Sequence, residues 1–213
     1  MKKTSLLIVS IVALVLFGGA AFFMRDLMFG GVKGTYPEVV DNYKDYSDQW
    51  ISYEVVGCLG NYAESTESYS FIPTGHEYYY LIWMEDGSIM PMSVSKKADK
   101  EYLDALTDAT YDFVDGITDT IAIPPRTFIG TVKAQESKAE GYYKEGLNYL
   151  DINEKDGWKI HYVLFDCTST RGGTILLVGA VMLIPILGFV SYFVSASKEK
   201  KKKLSPEQEF LPQ

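Results

Sequence analysis

The chain has few of the residues from which common catalytic and metal sites are built. Only two cysteines and two histidines occur among its 213 residues, and they form neither a CxxC nor an HExxH pattern. A zinc site needs three or four ligands at workable spacing, so zinc is not expected. Walker A, GxGxxG and GxSxG patterns are also missing. The sequence therefore predicts no cofactor, no metal site and no familiar catalytic motif.

Positive charge is scarce between residues 25 and 172. This stretch contains 25 Asp and Glu against 13 Lys and Arg, a net charge of −12, while the whole chain has a net charge of −8. Proteins that bind nucleic acid rely on clustered Lys and Arg to neutralise phosphates. The acidic balance therefore argues against a nucleic-acid partner.

Charged residues are absent from two apolar runs, Ser5–Met24 and Thr174–Val194. A helix of about 20 apolar residues can cross a bilayer because it satisfies its own backbone hydrogen bonds. The runs predict transmembrane helices over residues 5–24 and 172–194. Since no ionisable side chain lies inside either run, nothing marks an ion path or a proton relay.

Lysines flank both runs on what is predicted to be the same side of the membrane. Lys2 and Lys3 precede the first run, and Lys198 and 200–203 follow the second. Because Lys and Arg near a span are retained in the cytoplasm, residues 1–4 and 195–213 are predicted to be cytoplasmic tails at the plasma membrane. An alternative is that the first run is a cleaved signal peptide, with a small-residue cleavage site at 19–21.

Between the spans, a linker over residues 25–37 and an extracytoplasmic domain over residues 38–171 are expected. Alternating patterns predict an α+β domain, a mainly antiparallel sheet with two helices packed on one face. Asp86-Gly87 predicts a type I′ hairpin, and Pro91 places the following strand at an edge. The predicted strands are Trp50–Leu59, His76–Glu85, Ser88–Ser95, Thr127–Ala134 and Trp158–Cys167. The predicted helices cover about 96–116, with Ser95 as N-cap, and a segment that begins with a capping box at Ser137.

Both cysteines lie in the predicted outer domain. Cys58 and Cys167 fall in the first and last predicted strands, which would be neighbours if the sheet closed in that order. An even pair in an oxidising compartment is most simply a disulfide. The alternative is a pair of buried free thiols. His161 shares a strand face with apolar residues and is expected to be a core histidine.

Acidic and aromatic residues supply two candidate binding surfaces. On a helical wheel five aspartates form a stripe opposite the apolar face, and this stripe is either solvated or the site of a cation or a basic partner. The stripe comprises Asp104, Asp108, Asp112, Asp115 and Asp119. Tyrosines are dense around Tyr78–Tyr80, and Tyr78 and Tyr80 share one strand face. Exposed tyrosine is enriched at binding surfaces, so these two are a candidate aromatic surface, with core packing as the alternative.

The junction between the last strand and the second span resembles a known arrangement. Residues Tyr162–Gly188 (YVLFDCTSTRGGTILLVGAVMLIPILG) are similar to the strand-to-membrane junction of an uncharacterised family of two-span membrane proteins of Gram-positive bacteria. The resemblance implies short cytoplasmic tails and one outer domain. That family has no assigned activity, so the resemblance implies no catalytic residue.

The sequence thus favours a membrane-anchored extracytoplasmic binding or accessory module over an enzyme. Its expected partners are the lipid bilayer and another membrane or envelope protein. Two alternatives stay open at this point: an envelope-acting enzyme with an unrecognised active site, and a small accessory subunit of a membrane transport complex.

The lysine distribution generates a test of topology. A cysteine introduced by Ser197→Cys should react with a membrane-impermeant maleimide only after permeabilisation, because the adjacent lysines hold it inside. A cysteine introduced by Ser68→Cys should react in intact cells. The unsubstituted chain measures background labelling. External labelling of the Ser197→Cys chain would refute the two-span arrangement, and a mature chain that begins near residue 22 would establish the cleaved signal.

Overall fold

The computed structural model describes residues 3–69, 72–169 and 171–204. Lys2 and the part of the predicted tail beyond residue 204 lie outside the described residues. The chain divides into two compact units. One unit contains the two terminal helical segments, and the other spans Phe29–Arg171.

The described residues form helices and strands in an α+β order. The helices are α1 (Lys3–Phe23), α2 (Arg25–Phe29), α3 (Tyr36–Val39), α4 (Lys97–Val114), α5 (Ser137–Tyr149) and α6 (Arg171–Leu204). The strands are β1 (Val32–Thr35), β2 (Trp50–Val55), β3 (Gly57–Tyr69), β4 (Ile72–Trp83), β5 (Ile89–Val94), β6 (Arg126–Ala134) and β7 (Val163–Asp166). Short 3-10 turns cover Val40–Tyr46 and Glu154–Asp156.

Of the helices described, α6 alone contains a segment long and apolar enough to cross a membrane. That segment is Gly172–Lys198, with a mean hydropathy of 2.5, whereas the apolar part of α1 is the shorter Leu7–Phe23. A span in α6 agrees with the second predicted span, and a span in α1 stays a prediction. The two helices contact each other where Ser10, which is buried, meets Gly188. A Cβ on Gly188 would collide with the Ser10 hydroxyl, so glycine permits this close approach.

The Phe29–Arg171 unit is built on one seven-stranded sheet in the order β1-β2-β6-β7-β5-β4-β3. Four neighbouring pairs are antiparallel, and only β1–β2 and β5–β7 are parallel. The predicted mainly antiparallel α+β fold is therefore confirmed. The unit begins at Phe29, and β1 and the fully buried Tyr36 belong to it, although both were expected in a linker.

A glycine in the middle of β6 lies where the pairing partner of the strand changes. Before this point β6 pairs with β2, from Arg126 to Gly130, and after it β6 pairs with β7. A Cβ on Gly130 would collide with the carbonyl oxygen of Asp166 and lie 2.8 Å from the Cys167 sulfur. Only glycine allows the two strands to approach this closely.

The two long helices of this unit pack on opposite faces of the sheet, so their predicted placement on one face is wrong. Leu103 and Leu106 of α4 join the core cluster that contains Tyr80 and Ile82. Tyr143 and Leu147 of α5 join the cluster that contains Leu81. Successive strand residues point to opposite faces, so Tyr80 and Ile82 lie on the face covered by α4, and Leu81 lies on the face covered by α5. The sequence pattern shows that each helix has an apolar face but does not show which side of the sheet it covers.

The hairpin at residues 84–88 forms as predicted, but its details differ. Gly87 has a positive φ of 81°, whereas Asp86 does not. The turn is therefore not type I′, which needs positive φ at both central residues. The following strand β5 lies inside the sheet and is buried throughout, so the predicted edge placement is wrong. Pro91 is tolerated there because the β5–β7 ladder begins one residue later, at Met92.

The predicted caps of the two helices are also replaced. Lys96 rather than Ser95 precedes α4, and Glu136 rather than Ser137 precedes α5; neither makes a side-chain cap hydrogen bond. In each helix the serine, which would be the better capping residue, lies one position away from the N-cap. Packing of the buried faces, including Leu103, Leu106, Tyr143 and Leu147, is therefore the main term that stabilises the helices.

The close approach at Gly130 predicts a large loss of stability from one methyl group. We expect Gly130→Ala to lower the free energy of unfolding by about 1–3 kcal/mol, since the backbone of β7 must move. The matched control is Gly141→Ala in α5, where a Cβ meets nothing within 4 Å and alanine favours the helix by up to about 1 kcal/mol.

Thermal unfolding of the full chain in detergent measures both effects. All three tryptophans, Trp50, Trp83 and Trp158, lie between residues 29 and 171, so their fluorescence follows this unit. An unchanged midpoint for Gly130→Ala, or an equal loss for Gly141→Ala, would contradict the close packing at Gly130.

Candidate functional site: a tyrosine-lined groove

The predicted disulfide is wrong, because Cys58 and Cys167 are both free and buried. Cys58 lies in β3, at one end of the sheet order, and Cys167 follows β7, three strands away. At about 4.8 Å per strand this separates them by roughly 14 Å, far beyond the reach of a disulfide. Burial raises the pKa of the Cys58 thiol to about 11 and also raises that of Cys167. Neither thiol is therefore a ready nucleophile.

The predicted acidic stripe is broken by the end of the helix. The helix α4 ends at Val114, so Asp115 is its C-cap and Asp119 lies beyond it. Asp104 is occupied, because it accepts hydrogen bonds from Tyr80 (2.6 Å) and Lys100 (2.5 Å). Partial burial opposes ionisation, but these bonds hold the pKa of Asp104 below its usual range. No group of three or more potential metal ligands is present in the described residues.

The predicted aromatic surface at Tyr78 and Tyr80 is also not formed. Tyr80 is fully buried beneath α4 and joins the main core cluster. Tyr78 is half-buried, with His76 stacked on one side and Lys100 5.3 Å from its ring centre. The two do share a strand face, as expected, but α4 covers that face. Core packing, the alternative, is the outcome.

Neither histidine is placed for catalysis. His161 is buried, as expected for a core histidine, and burial lowers its pKa. His76 is exposed and lies 3.3 Å from Thr66 and 3.4 Å from Glu64. Both contacts reach the same ring nitrogen, Nδ1. A nucleophile–base–acid triad needs the nucleophile and the acid on opposite nitrogens, so this trio is not one.

Tyrosines instead assemble at the far edge of the sheet, where β3 is the last strand. A groove of about 420 Å³ lies there between α4 and α5. Leu59, Gly60 and Tyr62 of β3 form its floor, and the walls come from Tyr111 of α4 and from α5. Since the two helices pack on opposite faces, they meet only around this edge strand. The groove is therefore a direct result of the layer arrangement.

Tyr62 and Gly146 set the depth of the groove. A Cβ on Gly146 would lie only 3.0 Å from the Tyr62 Cβ, so glycine lets α5 approach β3 closely. Tyr62 is fixed by its hydroxyl, which donates to Gln135 Oε1 at 3.1 Å. Its ring also lies 5.4 Å from that of Tyr143, which is buried. These contacts hold the Tyr62 ring in place, and burial raises the pKa of Tyr62 so that it stays protonated.

The walls of the groove carry exposed aromatic rings. Tyr149 is 88% exposed, Tyr142 is 41% exposed and Tyr111 is 36% exposed. All three line the groove, together with the carboxylate-bearing Glu145. Tyrosine offers a partner apolar area and a hydroxyl at a small entropy cost. Three partly or largely exposed rings that line one groove form a candidate binding surface.

Tyr111 was missed in reasoning from sequence. It lies on the polar face of α4 between Asp108 and Asp112, and an aromatic residue on a charged helix face is the signal that would have identified it. Its hydroxyl donates to the Leu59 carbonyl at 3.0 Å. Partial burial, with Tyr149 and Asp115 nearby, raises the pKa of Tyr111. This hydrogen bond caps an edge-strand carbonyl and positions the ring.

Two other pockets are weaker candidates for a functional site. One of about 530 Å³ is lined by Tyr53, Glu54, Glu85 and Asp86, but Asp86 is already held by Ser88. Another of about 440 Å³ contains Lys96, Asp99, Arg126 and Cys167. There the Asp99–Arg126 pair (2.6 Å) satisfies itself. In the described residues, neither pocket combines exposed rings with free hydrogen-bonding groups as the tyrosine-lined groove does.

The fold and the groove define an α+β domain with a candidate binding site at a sheet edge, joined in sequence to an apolar helix. The chain belongs to the family described as Domain of unknown function (DUF8577), whose model matches residues 1–198. The searches of curated proteins and of solved structures found no significant match.

The broken stripe generates a prediction about calcium. Asp108 is exposed and repels neighbouring carboxylates, so Asp108→Asn should leave the unfolding midpoint unchanged or raise it slightly. Millimolar calcium should shift neither chain, whereas added salt should stabilise the unsubstituted chain. Tryptophan fluorescence during heating gives the unfolding midpoint, and so measures the effects of the substitution, of calcium and of salt. A calcium shift of several degrees that Asp108→Asn abolishes would establish a cation site on α4.

Proposed function

We propose that the protein is a membrane-anchored, extracytoplasmic binding or accessory module that holds its partner in the tyrosine-lined groove. The observation that carries the proposal is the set of three exposed rings, Tyr111, Tyr142 and Tyr149, that line one groove. Rigid aromatic anchors at the rim of a concave site are typical of binding surfaces. The partner is another membrane or envelope protein.

The membrane anchor in this proposal is supported by the apolar segment Gly172–Lys198 of α6. The lysines that follow it favour a cytoplasmic C-terminus, and Lys2 and Lys3 favour a cytoplasmic N-terminus if α1 also spans. The Phe29–Arg171 unit then faces outward at the plasma membrane. Its acidic composition suits an outer surface, because acidic residues do not retain a segment in the cytoplasm.

A non-enzymatic role is favoured by how the potential catalytic groups of the described residues are placed. Cys58 and Cys167 are buried and protonated, and His161 is enclosed in the core. An active site of the usual kind brings a nucleophile, a base and a charge-stabilising group around one cavity. The groove presents tyrosine hydroxyls and one carboxylate instead, which suit recognition.

Photo-crosslinking in intact cells tests the proposal. A photoreactive residue in place of Tyr149 should give a discrete adduct, because this ring stands in the path of any partner that enters the groove. The matched control is the same residue in place of Ile129, which is 52% exposed but lies in β6, away from the groove. A second substitution, Tyr111→Ala, should remove the adduct.

The two positions give separable outcomes. An adduct at 149 that needs Tyr111 supports a binding role for the groove. No adduct at 149, or equal adducts at 149 and 129, would refute it.

A further inference from the structure

One carboxylate lines the tyrosine-lined groove, and two more flank Tyr111 on α4. On α4, Asp108 and Asp115 lie three residues before and four residues after Tyr111, so both are its neighbours on the helix surface. On α5, Glu145 lines the groove directly. Both aspartates are exposed, and in the described part of the chain none of the three carboxylates forms an ion pair.

Asp104, on the same helix, does form an ion pair, so the surface of α4 allows an aspartate to be neutralised. Asp104 lies one turn before Asp108 and is neutralised by Lys100 four residues earlier. No Lys or Arg stands three or four residues from Asp108 or from Asp115. The negative field therefore rises towards the end of α4, where Tyr111 enters the groove.

Aromatic rings next to carboxylates attract organic cations. A Lys or Arg over a tyrosine face gains energy from the ring quadrupole, and a nearby carboxylate adds to it. The chain already uses such contacts at Tyr142, where Lys138 lies 5.8 Å from the ring centre, and at Tyr162 with Lys144. The rings of Tyr149 and Tyr111 have no such cation among the described residues.

We infer that the groove takes a segment of a partner protein that carries Lys or Arg, with its cations between the rings of Tyr111 and Tyr149 and the carboxylates of Asp108, Asp115 and Glu145. This inference rests on the proposed binding function and names the chemistry of the partner. Charge complementarity carries it: the groove is acidic and aromatic, and the residues from 25 to 172 have a net charge of −12.

The segment docks through side chains and does not add as an eighth strand. The outer edge of β3 is irregular, with register shifts at Cys58/Gly60 and at Asn61/Ala63, and bulges of this kind blunt an edge. The Tyr111 hydroxyl also occupies the Leu59 carbonyl, which an added strand would need. Recognition therefore comes from the cation and the rings, and main-chain hydrogen bonds contribute little.

Fluorescence anisotropy with the full chain in detergent tests the inference. The probe is a labelled peptide of alternating lysine and serine, and its counterpart of alternating glutamate and serine is the charge control. We expect only the lysine peptide to bind, with an affinity that falls as salt is raised. Tyr149→Ala should weaken binding about two- to fivefold, whereas Tyr149→Phe, which keeps the ring, should not.

A matched pair of charge variants separates the groove from the general acidity of the domain. Asp108→Asn and Glu54→Gln each remove one negative charge from an exposed position, but Glu54 lies in β2, five strands away from β3 in the sheet. Only Asp108→Asn should weaken binding of the lysine peptide. Equal effects of the two variants would show non-specific attraction and overturn the inference.

Other occupants give distinct results. An oligomer of N-acetylglucosamine that binds, and is lost in Tyr149→Ala, would overturn the choice of a cationic segment while leaving the groove a binding site. A crosslinked adduct at 149 with twice the mass of the chain would assign the groove to a second copy. Failure of the lysine peptide together with failure of crosslinking would refute both the inference and the proposed function.

Discussion

Asp166 carries a carboxylate into the middle of the sheet, and three neighbouring segments of the chain supply the groups that stabilise it. It is 4% exposed, and such burial is costly for an ion unless it is paired and hydrogen-bonded. Lys133 of β6 lies 2.7 Å away, and Ser93 of β5 donates at 3.1 Å. The backbone and hydroxyl of Thr168 donate at 2.9 and 2.6 Å. Although burial alone would raise it, these partners hold the pKa of Asp166 below its usual range. The carboxylate thus ties β6, β7 and β5 together at the point where antiparallel pairing gives way to parallel pairing.

The tyrosines of the Phe29–Arg171 unit range from fully buried to almost fully exposed. Tyr36 and Tyr143 are fully buried, and their hydroxyls donate to the carbonyls of Val163 and His161. Burial raises the pKa of each, so both stay neutral donors. Tyr62 is intermediate, since it packs on Tyr143 and also forms the groove floor. Tyr149 is almost entirely in water. The contact between the Tyr62 and Tyr143 rings therefore joins the floor of the groove to the buried core.

A few residues show how much of the fold and of the groove can be predicted from the sequence. Alternation finds the strands at 76–85, 88–95 and 127–134, and Asp86-Gly87 finds the hairpin, because these signals are local. The order of strands is not local, so Cys58 and Cys167 look like possible neighbours when the sheet separates them by three strands. Alternation also places Tyr78 and Tyr80 on one face but does not show that α4 covers it. The groove could not be predicted for the same reason. Tyr111 and Tyr149 line one groove because α4 and α5 lie on opposite faces of the sheet, and the sequence pattern does not show that arrangement.

Gly130 also has a consequence for how the chain finds its register. Its neighbours Ile129 and Thr131 both carry β-branched side chains, and no room exists beside the Asp166 carbonyl for even one methyl group. A slip of β6 by one residue in either direction would bring one of them to this position. Misaligned pairings of β6 with β7 are therefore rejected by steric exclusion as well as by the loss of apolar burial. Gly130 thus favours the native register of β6 over neighbouring registers, since its lack of a side chain leaves room for the Asp166 carbonyl.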